Sequence, residues 1–143
     1  MRELLAHAAS LGIAVHVAHL PAPFRGFYDG EKRMVVYDFT LTLAERRCVL
    51  AHELGHAFHD HRCRGDKAME DAADVYAAHL LIDPVEYARA EAIHPSVDFI
   101  AEELCVEPDL VRVFQRSITR LRGVTYIRPR MGARQYRHSW SHA

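Results

Sequence analysis

The residues with the clearest capacity for chemistry lie in one short segment, which reads His-Glu-Leu-Gly-His at positions 52–56. On an α-helix, His52 and His56 lie on one face, four residues apart, so both imidazoles can bind one metal ion. Glu53 borders that face, near enough to take a proton from a water that the metal activates. Because Zn²⁺ lowers the pKa of its bound water to near 7, a carboxylate suffices as the base. The motif therefore indicates a catalytic zinc site.

The surrounding residues predict the helix that this site requires. Thr42 and Glu45 form a capping-box pattern, which places the start of the helix near Leu43. Gly55 inside a helix costs about 1 kcal/mol relative to Ala. Its presence indicates that another part of the chain passes close to it. The alternative is an accidental surface motif in a chain with 11 His.

A catalytic zinc site usually has three protein ligands, so one ligand must come from outside the motif. The candidates downstream are His59, His61, Cys63 and the acids at positions 70, 71 and 74. Glu70 fits best, because residues 62–66 predict a turn and residues 67–82 a second helix antiparallel to the first. Asp74, one turn after Glu70, is predicted to accept the second N–H of a ligand histidine. The alternative is that Glu70 and Asp74 lie on a solvated acidic face of the helix and bind no metal.

The chain resembles the ImmA/IrrE family of metallopeptidases. The resemblance rests on His-Glu-Leu-Gly-His at 52–56, Glu-x-x-Ala-Asp-x-Tyr-Ala-Ala-x-Leu-Leu at 70–81, and Pro84. In the family, Asn usually stands at the position of Asp74 and Phe at that of Tyr76. The Asp moves the pattern toward the Glu-x-x-x-Asp of gluzincins.

The resemblance implies the roles of the site residues and the class of substrate. His52, His56 and Glu70 would hold one Zn²⁺ per chain, and Glu53 would be the catalytic base. The substrate would be a regulatory protein, such as a helix-turn-helix repressor of a phage, a mobile element or a bacterial stress locus. The alternative is an antirepressor or binding module whose zinc site is structural or vestigial. For the group that stabilises the oxyanion, the candidates are Tyr28, Tyr37, His79 and the tail arginines.

The segments before the motif predict a small sheet of about three strands. Residues 1–11 have a helical pattern ended by Gly12, and residues 13–17 alternate as a half-buried strand does. Asp29-Gly30 between two β-forming runs predicts a hairpin. One arm of this hairpin is predicted to receive the substrate as an added strand. The alternative is a sheet that only packs on the helices.

The segments after the motif predict further helices. A helix is expected from Asp83-Pro84 to about residue 93, and two more at 97–104 and 108–121. The last two resemble a helix-turn-helix, and Arg112, Arg116 and Arg120 would form a basic stripe able to contact DNA. The preferred alternative is a helical hairpin packed on the metal helices.

The length of 143 residues predicts one domain. The predicted elements make it α+β, with a small sheet on a mostly helical core and a helical hairpin on its C-terminal side, and the family resemblance implies that this core is zincin-like. The domain is expected to span residues 1–123. Residues 124–143 are expected to form a basic tail with space for one short strand. The three Cys are too few and too scattered for a disulfide framework, which favours a reducing cytoplasm. The family resemblance implies that this is the cytoplasm of a bacterium or of a phage-infected host. There is no apolar run of 18 residues and no signal-peptide pattern, so a soluble protein without membrane contact is expected.

Overall fold

The computed structural model describes residues 1–60, 66–121, 124–127 and 141–142, and it has the predicted α+β fold. The helices are α1 Arg2–Ser10, α2 Leu43–Phe58, α3 Lys67–Leu81, α4 Pro84–Ile93, α5 Val97–Leu104 and α6 Pro108–Ser117. The strands are β1 Ala14–Ala18, β2 Gly26–Asp29, β3 Met34–Asp38, β4 Ile118–Leu121, β5 Val124–Ile127 and β6 Ser141–His142. These elements form two compact units, Met1–Leu81 and Ile82–Ala143.

The sheet of the first unit has the strand order β1-β3-β2. β1 is parallel to β3, and β2 pairs antiparallel with β3, so the predicted hairpin is confirmed. The side chain of Asp29 orders the turn by accepting hydrogen bonds from the backbone N–H groups of Glu31 and Lys32, at 3.1 and 3.0 Å. Central β3 carries buried Val35 and Val36.

Helix α2 begins where the sequence predicts. Its N-cap is Thr42, whose hydroxyl accepts a hydrogen bond from the backbone N–H of Glu45, while the Glu45 carboxylate accepts from the N–H of Thr42 at 2.7 Å. This reciprocal pair satisfies two of the backbone donors that every helix start leaves without a partner. α2 packs on β2 and β3. A Cβ on Gly26 would lie 2.4 Å from Cγ1 of Val49, so this glycine lets strand and helix meet closely.

Helices α2 and α3 approach each other at Gly55. A Cβ at this position would lie 2.9 Å from Cα and 3.0 Å from the carbonyl oxygen of Ala73, which is closer than real Cβ atoms come to a backbone. The expectation that part of the chain passes close to Gly55 is therefore confirmed, and that part is α3. Asp66 starts α3 by accepting a hydrogen bond from the backbone N–H of Ala68 at 2.8 Å.

The second unit contains α4, α5 and α6. Asp83 caps α4 by accepting from the N–H groups of Val85 and Glu86. The core of this second unit includes Tyr87, Ile100 and Phe114. Between α5 and α6 the chain turns through Cys105, which has the left-handed φ of 52°.

The prediction of a helix over residues 108–121 is wrong at its end. α6 stops at Ser117, and the chain continues as β4, which pairs antiparallel with β5. β-Branched Ile118 and Thr119 favour a strand, and pairing with β5 gives their backbone groups partners. Arg120 therefore lies on β4, and the proposed stripe of three arginines along one helix does not exist.

The predicted tail lies mostly outside the described residues, and its described part contains β5 and β6. Of the helices within the described ranges, none is both long and apolar enough to cross a membrane.

Candidate metal centre

The helix pair α2 and α3 brings together the three residues predicted as metal ligands. Each of His52, His56 and Glu70 offers one donor atom, and these atoms all lie within 4.8 Å of one another. Nε2 of His52 is 3.1 Å from Nε2 of His56 and 3.2 Å from Oε2 of Glu70. Nε2 of His56 is 3.5 Å from Oε1 of Glu70. The site is thus a cluster that is able to hold a metal ion.

These separations suit tetrahedral zinc. With bonds of about 2.1 Å, two ligand atoms of a tetrahedral ion lie about 3.3 to 3.4 Å apart. The observed distances are close to this value: 3.1 Å between the two imidazole nitrogens, 3.2 Å from His52 to Oε2 of Glu70, and 3.5 Å from His56 to Oε1 of Glu70. His56 is buried, whereas Glu70 is partly exposed, so the donor set has a protected side and an accessible side.

Asp74 fixes the orientation of the His52 ring. Its Oδ1 lies 2.8 Å from Nδ1 of His52, where it accepts the ring N–H. The proton is thereby held on Nδ1, which leaves Nε2 of the same ring with a lone pair directed toward the cluster. The placement one turn after Glu70 is what the sequence predicts for this acid.

The charges around the site favour a cation. Burial by itself would lower the pKa of His52, but the hydrogen bond to Asp74 and the negative charges of Glu53, Asp74 and Glu70 outweigh it and raise that pKa. Three carboxylates close to one partly buried imidazole make a strongly negative site. A divalent metal ion would be stabilised by the same charges.

Glu53 is placed beside the cluster without being part of it. It lies on α2 directly after His52, is partly buried, and is close enough for its charge to raise the pKa of that histidine. A carboxylate next to the donor set, rather than in it, is where a general base for an attacking water is needed.

The other residues singled out in the sequence lie elsewhere or outside the described residues. His59 is exposed at the end of α2, where its ring contacts Phe58 and Tyr76, and it does not belong to the donor cluster. His61 and Cys63 fall outside the described residues. Tyr28 is half-buried on β2, Tyr37 is buried on β3, and His79 lies on α3, nine residues after Glu70.

A contact behind the site was not predicted from the sequence. Nε2 of His7 on α1 lies 2.5 Å from the hydroxyl of Tyr76 on α3, and the Tyr76 ring packs against Phe58 of α2. Burial lowers the pKa of His7, which favours a neutral ring. The available signal was Tyr76 itself, which adds a hydroxyl where the resembling family usually has Phe.

A comparison with known protein families gives a match that covers both the sheet and the candidate metal centre. The sequence profile of Peptidase M78, described as the IrrE N-terminal-like domain, matches residues 8–113. The chain belongs to this family. The match includes every residue of the metal centre, so the predicted resemblance is confirmed and the chain is a metallopeptidase-like domain of the IrrE type.

A solved structure of a Mycobacterium tuberculosis transcriptional regulator has a similar fold. It superposes with a TM-score of 0.61 at 18% sequence identity, over 83% of this chain and 42% of the regulator. At this identity the likeness concerns the fold alone, and the IrrE-type chain corresponds to less than half of that regulator. A search among curated proteins gave no significant match.

Proposed function

We propose that this chain is a zinc-dependent endopeptidase that hydrolyses a peptide bond in a regulatory protein. The observation that carries the proposal is the convergence of two imidazole nitrogens and one carboxylate, with separations of 3.1 to 3.5 Å, beside a fourth group suited to act as a base. Its ligands are His52, His56 and Glu70, and one zinc ion binds per chain.

The chemistry divides between the metal and Glu53. When bound, zinc would polarise the peptide carbonyl and lower the pKa of the attacking water. Glu53 accepts the proton of that water and then passes it to the leaving amine, as a single carboxylate does in general acid–base catalysis. Asp74 keeps the proton of His52 on Nδ1 throughout, so that Nε2 stays available to the metal.

The sheet supplies a place for an extended substrate. β2 is an edge strand and packs on α2, the helix that carries the motif. A peptide added antiparallel or parallel to this edge would obtain backbone hydrogen bonds without regard to its sequence. We assign the substrate strand to β2, since β3 is paired on both sides.

The substrate class is a transcriptional regulator acting in a bacterial or phage-infected cytoplasm. Support comes from the membership of the IrrE-type family, because the resemblance to this family implies a substrate of that class. A repressor of the helix-turn-helix kind, from a phage, mobile element or stress locus, is the target that the family resemblance implies.

The first test measures zinc per chain by mass spectrometry or atomic emission in the native protein and in two variants. We expect about one zinc in the native chain, a loss in Glu70→Ala, and an unchanged content in Glu53→Gln. The Glu53→Gln variant is the matched control, because it keeps the ligands and removes only the base. Zinc content in Glu70→Ala equal to that of the native chain would reject Glu70 as a ligand.

The second test separates cleavage from binding. A candidate repressor incubated with the native protein should be cut, whereas with Glu53→Gln it should be bound and remain intact. If the repressor loses DNA binding equally with both proteins and is never cut, the chain acts as an antirepressor by docking alone. A native chain without zinc would remove the peptidase proposal.

A further inference from the structure

β1 forms an edge of the first unit's sheet, since among the strands that the structure describes only β3 pairs with it. Ala14 and Ala18 direct their backbone groups toward β3, and the N–H of Ala14 donates to Arg33 O at 3.0 Å. Successive residues of a strand alternate in this respect, so Val15 and Val17 direct their N–H and C=O groups to the open side. Within the described ranges, these groups have no backbone partner.

Within its own five residues, β1 lacks three of the features that usually prevent strands from pairing with other chains: a Lys or other charge, a Pro and a bulge. The five residues of β1 include no charged residue and no Pro, and the strand pairs with β3 in unbroken register. Val17 is 55% exposed although it is apolar. Natural edge strands are normally protected by Lys, Pro, a bulge or a covering element. A strand without charge, Pro or bulge is able to act as a template for another strand.

The sequence of β1 is self-complementary. Read in either direction, residues 14–18 are Ala-Val-His-Val-Ala. Two antiparallel copies centred on His16 place Val15 of each copy opposite Val17 of the other. Both valines have outward backbone groups, so each opposed pair can exchange two hydrogen bonds. The valine side chains then lie on one face, as β-branched cross-strand neighbours.

We propose that a second copy of this chain binds here, through antiparallel pairing of β1 with β1 about a twofold axis at His16. The two three-stranded sheets become one six-stranded sheet, held by four hydrogen bonds between the copies. A twofold interface uses the same patch on both subunits, which is what a palindromic strand provides. The substrate edge, β2, is at the other side of each sheet and remains open.

The dimer is expected to be weak. A single pair of five-residue strands buries less than the roughly 1,200 Å² that stable interfaces exceed, so association should fall in the micromolar range or above. It must therefore be measured over a range of protein concentrations, from about 10 to about 500 µM, rather than at one dilution.

Sedimentation velocity on the full chain tests the proposal. We expect the native chain to shift from the monomer to the dimer mass as its concentration rises. Val17→Pro removes one outward N–H from each copy without removing a hydrogen bond to β3. Because two of the four hydrogen bonds between the copies are then lost, we expect the dissociation constant of the dimer to rise roughly tenfold or more. Val17→Lys should have the same effect by adding charge to the edge.

The matched control is Ile93→Lys, which adds the same charge at an apolar residue that is 70% exposed on α4. This variant should dimerise as the native chain does. A native chain that stays monomeric throughout would overturn the proposal and leave the edge to another partner. A dimer that Val17→Pro does not weaken would also overturn it.

Cross-linking tests the register separately. In the proposed pairing, His16 faces His16 of the second copy as a non-hydrogen-bonded pair, with Cα atoms about 4.5 Å apart, which a disulfide can bridge. Mild oxidation of His16→Cys should give a dimer whose 16–16 disulfide is identified by peptide mass spectrometry. His19→Cys is the control, because its side chain is 75% exposed but does not face its own copy. Equal cross-linking of both variants would reject this register.

Discussion

Asp74 is the residue that departs most informatively from the family pattern, since a charged carboxylate replaces the usual amide. Replacing it with Ala should weaken zinc binding roughly 10- to 100-fold, because His52 loses the acceptor that holds its ring. Asp74→Asn should weaken zinc binding less, since an amide oxygen accepts the same hydrogen bond. Competition titration with a fluorescent zinc chelator measures both. Equal affinities in the native chain and Asp74→Ala would mean that the contact does not orient the ligand.

Asp38 makes stability depend on pH at the end of β3. The hydroxyl of Thr40 and the backbone N–H groups of Leu20 and Thr40 donate to its carboxylate, and they lower its pKa to about 2. Since this value lies below the pKa of 3.8 in an unstructured chain, the carboxylate stabilises the fold above about pH 4. That stabilisation is lost as the pH falls through about 2.

The prediction concerns the difference between the native chain and Asp38→Asn. In urea unfolding, the native chain should be more stable above about pH 4, and the difference should shrink toward pH 2. Asp71→Asn, at an exposed position on α3, is the control and should show no such trend. A difference that stays constant from pH 5 to pH 2 would contradict the assignment.

Single residues were predictable from the sequence where their spacing lies within one helix. His52 and His56 are four residues apart, as are Glu70 and Asp74, so one helical turn determines which of them share a face. The contact of His7 with Tyr76 joins residues 69 positions apart in separate helices. No local pattern encodes such a pairing, because it depends on where α1 packs.

At the scale of elements, the contact of α2 with α3 at Gly55 sets the distance between the proposed ligands on the two helices. Gly55→Ala should gain about 1 kcal/mol in helix propensity. The same change should cost about 1–3 kcal/mol of stability, because the new Cβ meets the backbone of Ala73. A backbone cannot move away by changing rotamer, as a side chain can. We expect lower zinc affinity together with unchanged or reduced stability.

Thermal unfolding with and without zinc measures both effects. The control is Gly30→Ala, whose Cβ would meet only the Tyr28 ring at an ordinary 3.6 Å. Zinc affinity equal to that of the native chain in Gly55→Ala would mean that the helices separate without moving the ligands.

The elements themselves were predictable where their ends carry local signals. Thr42 and Glu45 mark the start of α2, Asp83 and Pro84 that of α4, and each helix begins there. The end of α6 carries no such signal. Apolar residues continue past Ser117 at helical spacing, and only pairing with the later strand β5 makes residues 118–121 a strand.

At the scale of the whole molecule, the three proposed ligands His52, His56 and Glu70 and the neighbouring Glu53 and Asp74 all belong to the first compact unit. In the second, the Tyr87 hydroxyl donates to Glu91 Oε1 at 2.9 Å and accepts from Gln115 Nε2 at 3.0 Å. Tyr87→Phe should reduce the free energy of unfolding by about 1–2 kcal/mol, since the partly buried side chains of Glu91 and Gln115 each lose a partner. Zinc affinity should stay within about twofold of the native value.

Calorimetry and the chelator titration provide these two measurements. Ile93→Ala, at an exposed apolar position of the same unit, is the control and should change neither quantity appreciably. A loss of zinc affinity in Tyr87→Phe would show that the centre depends on the second unit.

The architecture was foreseen because its parts follow from periodicity and turn residues, and the family resemblance places them in order. The position of β1 at the edge of the sheet was not foreseen. Alternation of apolar and polar residues predicts a strand, but it does not predict on which side that strand has no neighbour. That information exists only once the strand order is known.

The close passage of Gly55 past Ala73 has a consequence for how metal enters and leaves. Each of these small residues lies three positions after a ligand, Gly55 after His52 and Ala73 after Glu70. Because backbone contact holds the helices at this spacing, we expect the donor atoms to be in place before an ion binds. The apoprotein should then keep its secondary structure, and metal exchange should be governed by shedding of the ion's hydration shell rather than by refolding. On the proposed function, a cell short of zinc would hold this protein as an intact form that is ready to bind the ion again.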